Sequence, residues 1–358
     1  MVTSIHILGS HQLGGADRFF VRLVEALTRA GHPSLAVIRG DSPVASELSP
    51  QVEQVHLPLA SKWDFYSRWR LTRLIRERQP DVVQTYMGRA TRLTRLPADS
   101  RALHVARLGG YYKIDGYYRH AHAWVGNTRD ICDYLVAQDL PKERVFCIGN
   151  FVPEPRRVPA EETRALRARL GIPDGAFVIF ALGRLIAKKG FQDLLEAFSR
   201  LEPVVMGRPL RLLIAGDGTE RERLADATRR LGLADRVCWA GWQNDPTPYF
   251  SLGDVFVCPS RQEPLGNVIL EAWQYGLPVL STRNEGATAL AIDGDNAVLA
   301  PLEDPAGLAE AMRRLLSVSP AERRRLAEAG HATVHREHHE DAVLASYLAM
   351  YEQLRPRT

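Results

Sequence analysis

Residues 260–279 read SRQEPLGNVILEAWQYGLPV and carry two glutamates, Glu263 and Glu271, with seven residues between them. The run before them, DVFVCP (254–259), is an apolar strand closed by a proline. The run after the helix, GLPVLS (276–281), is a helix stop followed by another short strand. The unit is therefore strand, loop, helix, strand, with Gly266 at the helix N-terminus. Free backbone N–H groups and the positive end of the helix dipole, roughly half an elementary charge, make such a terminus a place for an anion. Glu263 lies in the loop beside it, and Glu271 lies about 7–8 Å further along the helix at 1.5 Å per residue. A phosphate at a helix start with a carboxylate on either side suits a sugar nucleotide: an anion in the middle, hydroxyl-rich sugars at both ends.

A second stretch supplies cations. FVIFALGR (177–184) reads as a buried strand ending in a glycine turn, followed by LIAKKG (185–190). In the helix after it, 191–200, Phe191, Leu194, Leu195 and Phe198 fall at i, i+3, i+4 and i+7. Arg184 thus stands at the carboxyl end of a strand, where α/β sheets bind ligands. Lys188 and Lys189 open a helix whose dipole they oppose. A bound anion is one reason for them; solvated loop charge is the other.

These motifs carry a family resemblance. GRLIAKKG (183–190), LIAGDGTERERL (213–224), RVCWAGWQND (236–245), the run 254–279 and DGDNAVLAPLEDPAGLAEAM (293–312) occur in one order and spacing. In these the chain resembles the retaining GT-B glycosyltransferases of glycosyltransferase family 4. The likeness is near complete from about 177 to 316. It is looser in the N-terminal half, through GGADRFFVRLVEALTRAGH (14–32) and WVGNTRDICDYL (124–135). By that resemblance Arg184 and Lys189 bind a donor diphosphate, Glu271 holds the ribose hydroxyls and Glu263 faces the transferred sugar. The backbone at Leu265, Gly266 and Asn267 would contact phosphate, Gly216 would belong to the donor site, and Trp242 would border the base. The glycine pair ending in Gly15 would let backbone approach the donor phosphate or the acceptor, and Asp17 stands where a glutamate is more usual. Arg107, with Tyr111 near it, stands where many relatives carry a sugar-contacting histidine. Either Arg107 faces a carboxylate- or phosphate-bearing sugar, or it packs at its strand end.

The alternation of elements implies an α/β protein with parallel sheets covered by helices. Strands are expected at 4–8, 34–38, 52–57, 81–86, 101–107 and 122–126, with helices near 16–30, 64–79, 88–96 and 128–138. A Pro-rich linker, 150–160, precedes a charged helix and a second series of strands near 177–183, 210–215, 236–240, 254–258, 278–281 and 297–300. Two Rossmann-like domains follow: 1–155 for the acceptor and 165–338 for the nucleotide sugar, facing a cleft. By the resemblance, 339–358 forms a helix crossing back onto the first.

Composition agrees with a globular enzyme, at 358 residues with 45% apolar and 25% charged. The sequence has no run long and apolar enough to span a bilayer, and residues 1–10 read as a buried strand, so a cytoplasmic protein is expected. Cys132, Cys147, Cys238 and Cys258 lack metal spacing and read as reduced core thiols. Asp293-Gly294-Asp295 has D-x-D spacing but lies in a turn, and the resembling family uses no metal; no cofactor is expected. His335, His338 and His339 read as a solvated helix junction. Gly14-Gly15 lacks dinucleotide spacing.

Charge is uneven: residues 1–150 hold 20 Lys and Arg against 14 Asp and Glu, a net +6, whereas the rest is −2. The excess concentrates in 62–107. Within KWDFYSRWRLTRLIRER (62–78), Trp63, Phe65, Tyr66 and Trp69 interleave with Arg68, Arg70, Arg73 and Arg76. One reading is a helix on an anionic bilayer, placing the protein on the inner face of the cytoplasmic membrane. The other is an ordinary surface helix with Phe65, Trp69, Leu71, Leu74 and Ile75 partly buried. Nucleic acid is disfavoured, since no recognition motif accompanies the charge. The expected activity is metal-independent, retaining transfer from a UDP- or GDP-sugar to a lipid-linked or oligosaccharide acceptor, as in lipopolysaccharide core. A sugar-nucleotide 2-epimerase, a phosphorylase or a non-catalytic partner subunit are the alternatives.

Overall fold

A computed structural model describes residues 1–11 and 13–355. Two compact units divide the chain: Met1–Pro153 with Glu337–Thr358, and Glu154–Arg336. Positions 356–358 of the expected C-terminal segment lie outside the described residues.

The first unit contains β1 (Ser4–Leu8), α1 (Gly15–Arg29), β2 (Ser34–Arg39), α2 (Val44–Glu47), β3 (Glu53–Leu57) and α3 (Phe65–Arg78). It continues through β4 (Val82–Tyr86), α4 (Met87–Leu93), β5 (Leu103–Leu108), β6 (Ala123–Gly126), α5 (Arg129–Ala137) and β7 (Val145–Cys147). The strands pair in parallel in the order β3-β2-β1-β4-β5-β6-β7. Strands buried on both faces need near-continuous apolar runs, and IHIL, LAVI and VV supply them. β7, three residues long, was not expected; a run that short shows no period.

The second unit contains α6 (Ala160–Arg169), β8 (Phe177–Leu182), α7 (Phe191–Ser199), β9 (Val204–Val205), β10 (Arg208–Ala215), α8 (Arg221–Arg230), β11 (Val237–Gly241) and α9 (Thr247–Phe250). Then follow β12 (Val255–Cys258), α10 (Asn267–Gln274), β13 (Val279–Thr282), α11 (Glu285–Leu290), β14 (Val298–Ala300), α12 (Pro305–Ser317) and α13 (Pro320–Glu337). Its parallel sheet runs β11-β10-β8-β12-β13-β14, with β9 added antiparallel to β10. The last helix, α14 (Glu340–Leu354), belongs to the first unit, where Tyr347 and Tyr351 are buried with Phe19 and Phe20 of α1.

Three readings need correction. Cys147, read as a core thiol, is exposed at the end of β7. In α3, Leu71, Leu74 and Ile75 are buried, but Phe65 and Trp69 are 72% and 55% exposed. The domain takes only the aliphatic stripe, and the aromatic residues project outward with Trp63 and Tyr66. His338 is not solvated: it is buried, and its Nδ1 lies 2.8 Å from the Asn150 carbonyl oxygen.

Candidate active site

In the second unit the strand order reverses between β8 and β12, which pair with Ile179 opposite Val255 and Phe180 opposite Phe256. Parallel neighbours release their loops at the same sheet edge, and a reversal there opens a crevice for ligands. The loop after β8 carries Arg184, Lys188 and Lys189; the loop after β12 carries Ser260 to Gly266.

Glycine brings these loops into contact. Gly190 has φ +66°, and a Cβ there would lie 1.9 Å from the Pro259 carbonyl oxygen. The backbone N–H groups of Arg261 and Gln262 donate to the Lys188 carbonyl at 2.9 and 3.2 Å. Gly216, at the end of β10, presses as closely on the Gly183 carbonyl, with φ +139°. Only glycine tolerates such approach at positive φ.

The outcome is an ion pair between Lys189 Nζ and the Glu263 carboxylate, with 16% and 14% of the two side chains exposed. Ser260 Oγ donates to Glu263 at 3.5 Å, the outer limit of a hydrogen bond. The Glu263 backbone N–H donates to Glu285 Oε2 at 3.3 Å, and its carbonyl accepts from the Gly286 N–H at 2.6 Å. Ser260, Glu285 and Gly286 were not among the expected site residues. The signal for them was Asn284, which caps α11 by accepting from the Ala287 N–H at 2.9 Å.

α10 begins at Gly266, whose φ of +77° makes it a left-handed N-cap with no side chain to satisfy the helix N–H groups. Leu265 is buried beneath it, Asn267 opens the helix, and Glu271 lies partly buried about a turn further on. Arg184 is exposed, and among the described residues its guanidinium has no hydrogen-bond or ion-pair partner. Trp242, just after β11, is half exposed and donates its indole N–H to Asn244 at 2.9 Å. The D-x-D carboxylates are engaged elsewhere: Asp293 pairs with Arg283 and Arg314 at 2.8 and 3.0 Å, and Asp295 lies 3.8 Å from Arg325.

The first unit reverses between β1 and β4, so the loop after β1 and the start of α1 occupy the matching place. Gly14 is the N-cap of α1 and Gly15 is its exposed first residue. Asp17 is 4% exposed and accepts from the Gly14 N–H at 2.7 Å; burial pushes its carboxyl pKa up, against the pull of that bond. It shapes the glycine turn. Arg107 is 3% exposed, its guanidinium 3.8 Å from the Phe19 ring centroid, donating to Tyr347 Oη at 3.1 Å and to Asn150 Oδ1. Of the two readings of this arginine, the geometry gives the packing one. Tyr111 is half exposed, edge-on to Tyr134.

Two family models match the chain: "Glycosyltransferase Family 4" over residues 13–156 and "Glycosyl transferases group 1" over 162–333. The lipopolysaccharide core biosynthesis glycosyltransferase LpsD of Rhizobium meliloti is 36% identical over 95% of each chain. The chain belongs to the family 4 glycosyltransferases. Among solved structures, a glycosyltransferase of Rickettsia africae superposes with a TM-score of 0.88 at 18% identity, covering 100% of this chain and 99% of that one. Anabaena HepE, solved with UDP and glucose, gives 0.83 at 17% identity over 99% and 100%. The transferase therefore has the GT-B architecture of two Rossmann-like domains with parallel sheets. Lys189 and Glu263 of the transferase meet at a switch point, and Arg184 leaves the same strand end.

Proposed function

We propose that this glycosyltransferase moves a sugar from a UDP- or GDP-sugar to a hydroxyl of a lipid-linked or glycan acceptor in lipopolysaccharide core assembly, retaining anomeric configuration without a metal. The observation that carries the reading is the convergence of the exposed Arg184, Lys189 and the uncapped start of α10 at one sheet edge. Departure of a nucleoside diphosphate leaves negative charge on its phosphate as the sugar becomes oxocarbenium-like. Preorganised cations and helix N–H groups at that position are commonly worth several kcal/mol. Glu263 orients the sugar and Glu271 holds the ribose. The acceptor hydroxyl attacks the face the phosphate leaves, and the departing phosphate takes its proton. The first unit receives the acceptor, and the exposed aromatics and arginines of 62–78 rest on the inner face of the cytoplasmic membrane. The likeness to LpsD supports the acceptor class, and UDP bound by HepE supports the donor class.

A panel of nucleotide sugars read by thermal shift, followed by transfer assays with EDTA, tests this. The true donor stabilises the protein by about 2.7 kcal/mol at 100 times its dissociation constant. Turnover of the donor with no acceptor present would identify an epimerase instead.

A further inference from the structure

Between the start of α3 and the helix α4, the first unit has a cavity of about 240 Å³. Lys62, Arg68, Arg92 and Arg95 line it with a single acid, Asp64. That carboxylate caps α3, accepting from the Ser67 N–H at 2.9 Å, the Ser67 hydroxyl at 2.7 Å and the Ala60 N–H at 3.0 Å. The cations are held by groups other than acids. The Arg92 guanidinium lies 4.6 Å from the Trp63 ring and 5.4 Å from Tyr117, and donates to the Gly116 carbonyl at 2.6 Å. Arg95 donates to the Arg92 and Thr94 carbonyls at 3.0 and 2.9 Å. The Arg68 guanidinium is exposed and has no hydrogen-bond or ion-pair partner among the described residues. Burial and then the neighbouring Arg68 and Arg92 charges push the Arg95 pKa down, as crowded like charges should. Trp63 and Phe65, at 60% and 72% exposure, stand on the rim.

We infer that this cavity is a receptor for the phosphomonoester headgroup of a membrane lipid. A dianion answers an excess of three positive charges better than a monoanion does. Arginine forks match phosphate oxygens bidentately. The exposed aromatic rim then lies where the lipid's glycerol and acyl chains begin. The lipid source rests on the membrane reading of 62–78; the phosphate site does not.

Sedimentation with phosphatidylcholine vesicles containing phosphatidic acid or phosphatidylglycerol, matched for surface charge, tests it. Wild type is expected to bind phosphatidic acid at least tenfold more tightly. Lys62→Gln/Arg92→Gln abolishes that preference, and so does Arg68→Gln, whose exposed side chain plays no part in the fold. Arg70→Gln/Arg73→Gln, outside the cavity, weakens both lipids alike and keeps the preference. No preference in wild type, or equal losses in the two double variants, overturns the pocket as a lipid-headgroup receptor while leaving a diffuse membrane face standing. Soluble glycerol 3-phosphate, followed by phosphorus NMR, separates the two readings. A resonance that shifts with wild type but not with Arg68→Gln establishes the phosphate site even if no vesicle binds. No shift with wild type overturns it.

Discussion

Lys189 and Glu263 form an ion pair between the loops that leave adjacent strands β8 and β12, and both side chains are mostly withdrawn from water. The expected roles assigned the lysine to phosphate and the glutamate to sugar, as separate contacts. On the proposed function, their pairing would make a donor phosphate share its lysine with Glu263, coupling affinity and turnover through one ammonium. Removing one partner of a pair so placed leaves the other charge poorly solvated, and that costs more than the pair itself is worth.

Glu263→Gln should therefore tighten nucleoside diphosphate binding by up to about tenfold, about 1.4 kcal/mol, while lowering kcat. Lys189→Ala should lose on the order of 2 kcal/mol of stability by stranding the carboxylate. Lys189→Ala/Glu263→Gln should recover most of it. Calorimetric titration with nucleotide and urea denaturation of all three variants close the cycle. Additive losses would show that the two groups do not interact.

Arg184→Ala should behave differently, because its guanidinium is exposed and unpartnered among the described residues. Donor affinity should fall by about 1.5–3 kcal/mol, the cost of one charge-assisted contact, with the unfolding midpoint unchanged. Wild-type transfer should persist in EDTA. Strict dependence on added Mg²⁺ or Mn²⁺ would sink the metal-free mechanism.

Much of the second unit was legible because its strands are apolar runs punctuated by glycine, and Arg184 and Glu263 each follow such a strand. The contact of Lys189 with Glu263 was not legible, since 74 residues separate them and only the order of β8 and β12 in the sheet joins them. Arg107 shows the same limit. Its partner Tyr347 lies 240 residues away on α14, so no local pattern could say that this strand-end arginine turns inward. The sequence left the aromatics of α3 between an outward and a partly buried placement for another reason: basic residues occupy both flanks of the helix, and no clean apolar stripe marks its buried side.

Cys147 should be the reactive thiol. It is exposed on β7, and a hydrogen bond with Cys132 draws its pKa down to about 7 while pushing the buried Cys132 up. Iodoacetamide at pH 7.5 should label Cys147 alone, with a half-maximal rate near pH 7. Cys132→Ala should move that midpoint toward the ordinary thiol value, as read by peptide mass mapping. Labelling of Cys132 or Cys238 ahead of Cys147 would count against the assignment.

Acid should weaken the first unit through His6. The ring is fully buried, Nδ1 lies 2.9 Å from Tyr86 Oη and Nε2 lies 3.0 Å from Ser4 Oγ, and burial lowers its pKa to about 3. The folded protein keeps this histidine neutral down to that value, whereas the unfolded chain protonates it below about 6.5. Below pH 6.5 the unfolded state thus binds one more proton, and stability falls as the pH drops toward 3 by about 1.4 kcal/mol per unit. Above 6.5 the contribution is complete and flat. His6→Gln keeps a hydrogen-bonding side chain that cannot titrate, so its stability should fall less steeply. Between pH 6.5 and 5 the two proteins should diverge by about 2 kcal/mol, read by hydrogen exchange of peptides covering β1. Parallel curves for wild type and His6→Gln would mean that this ring already carries its proton in the folded state.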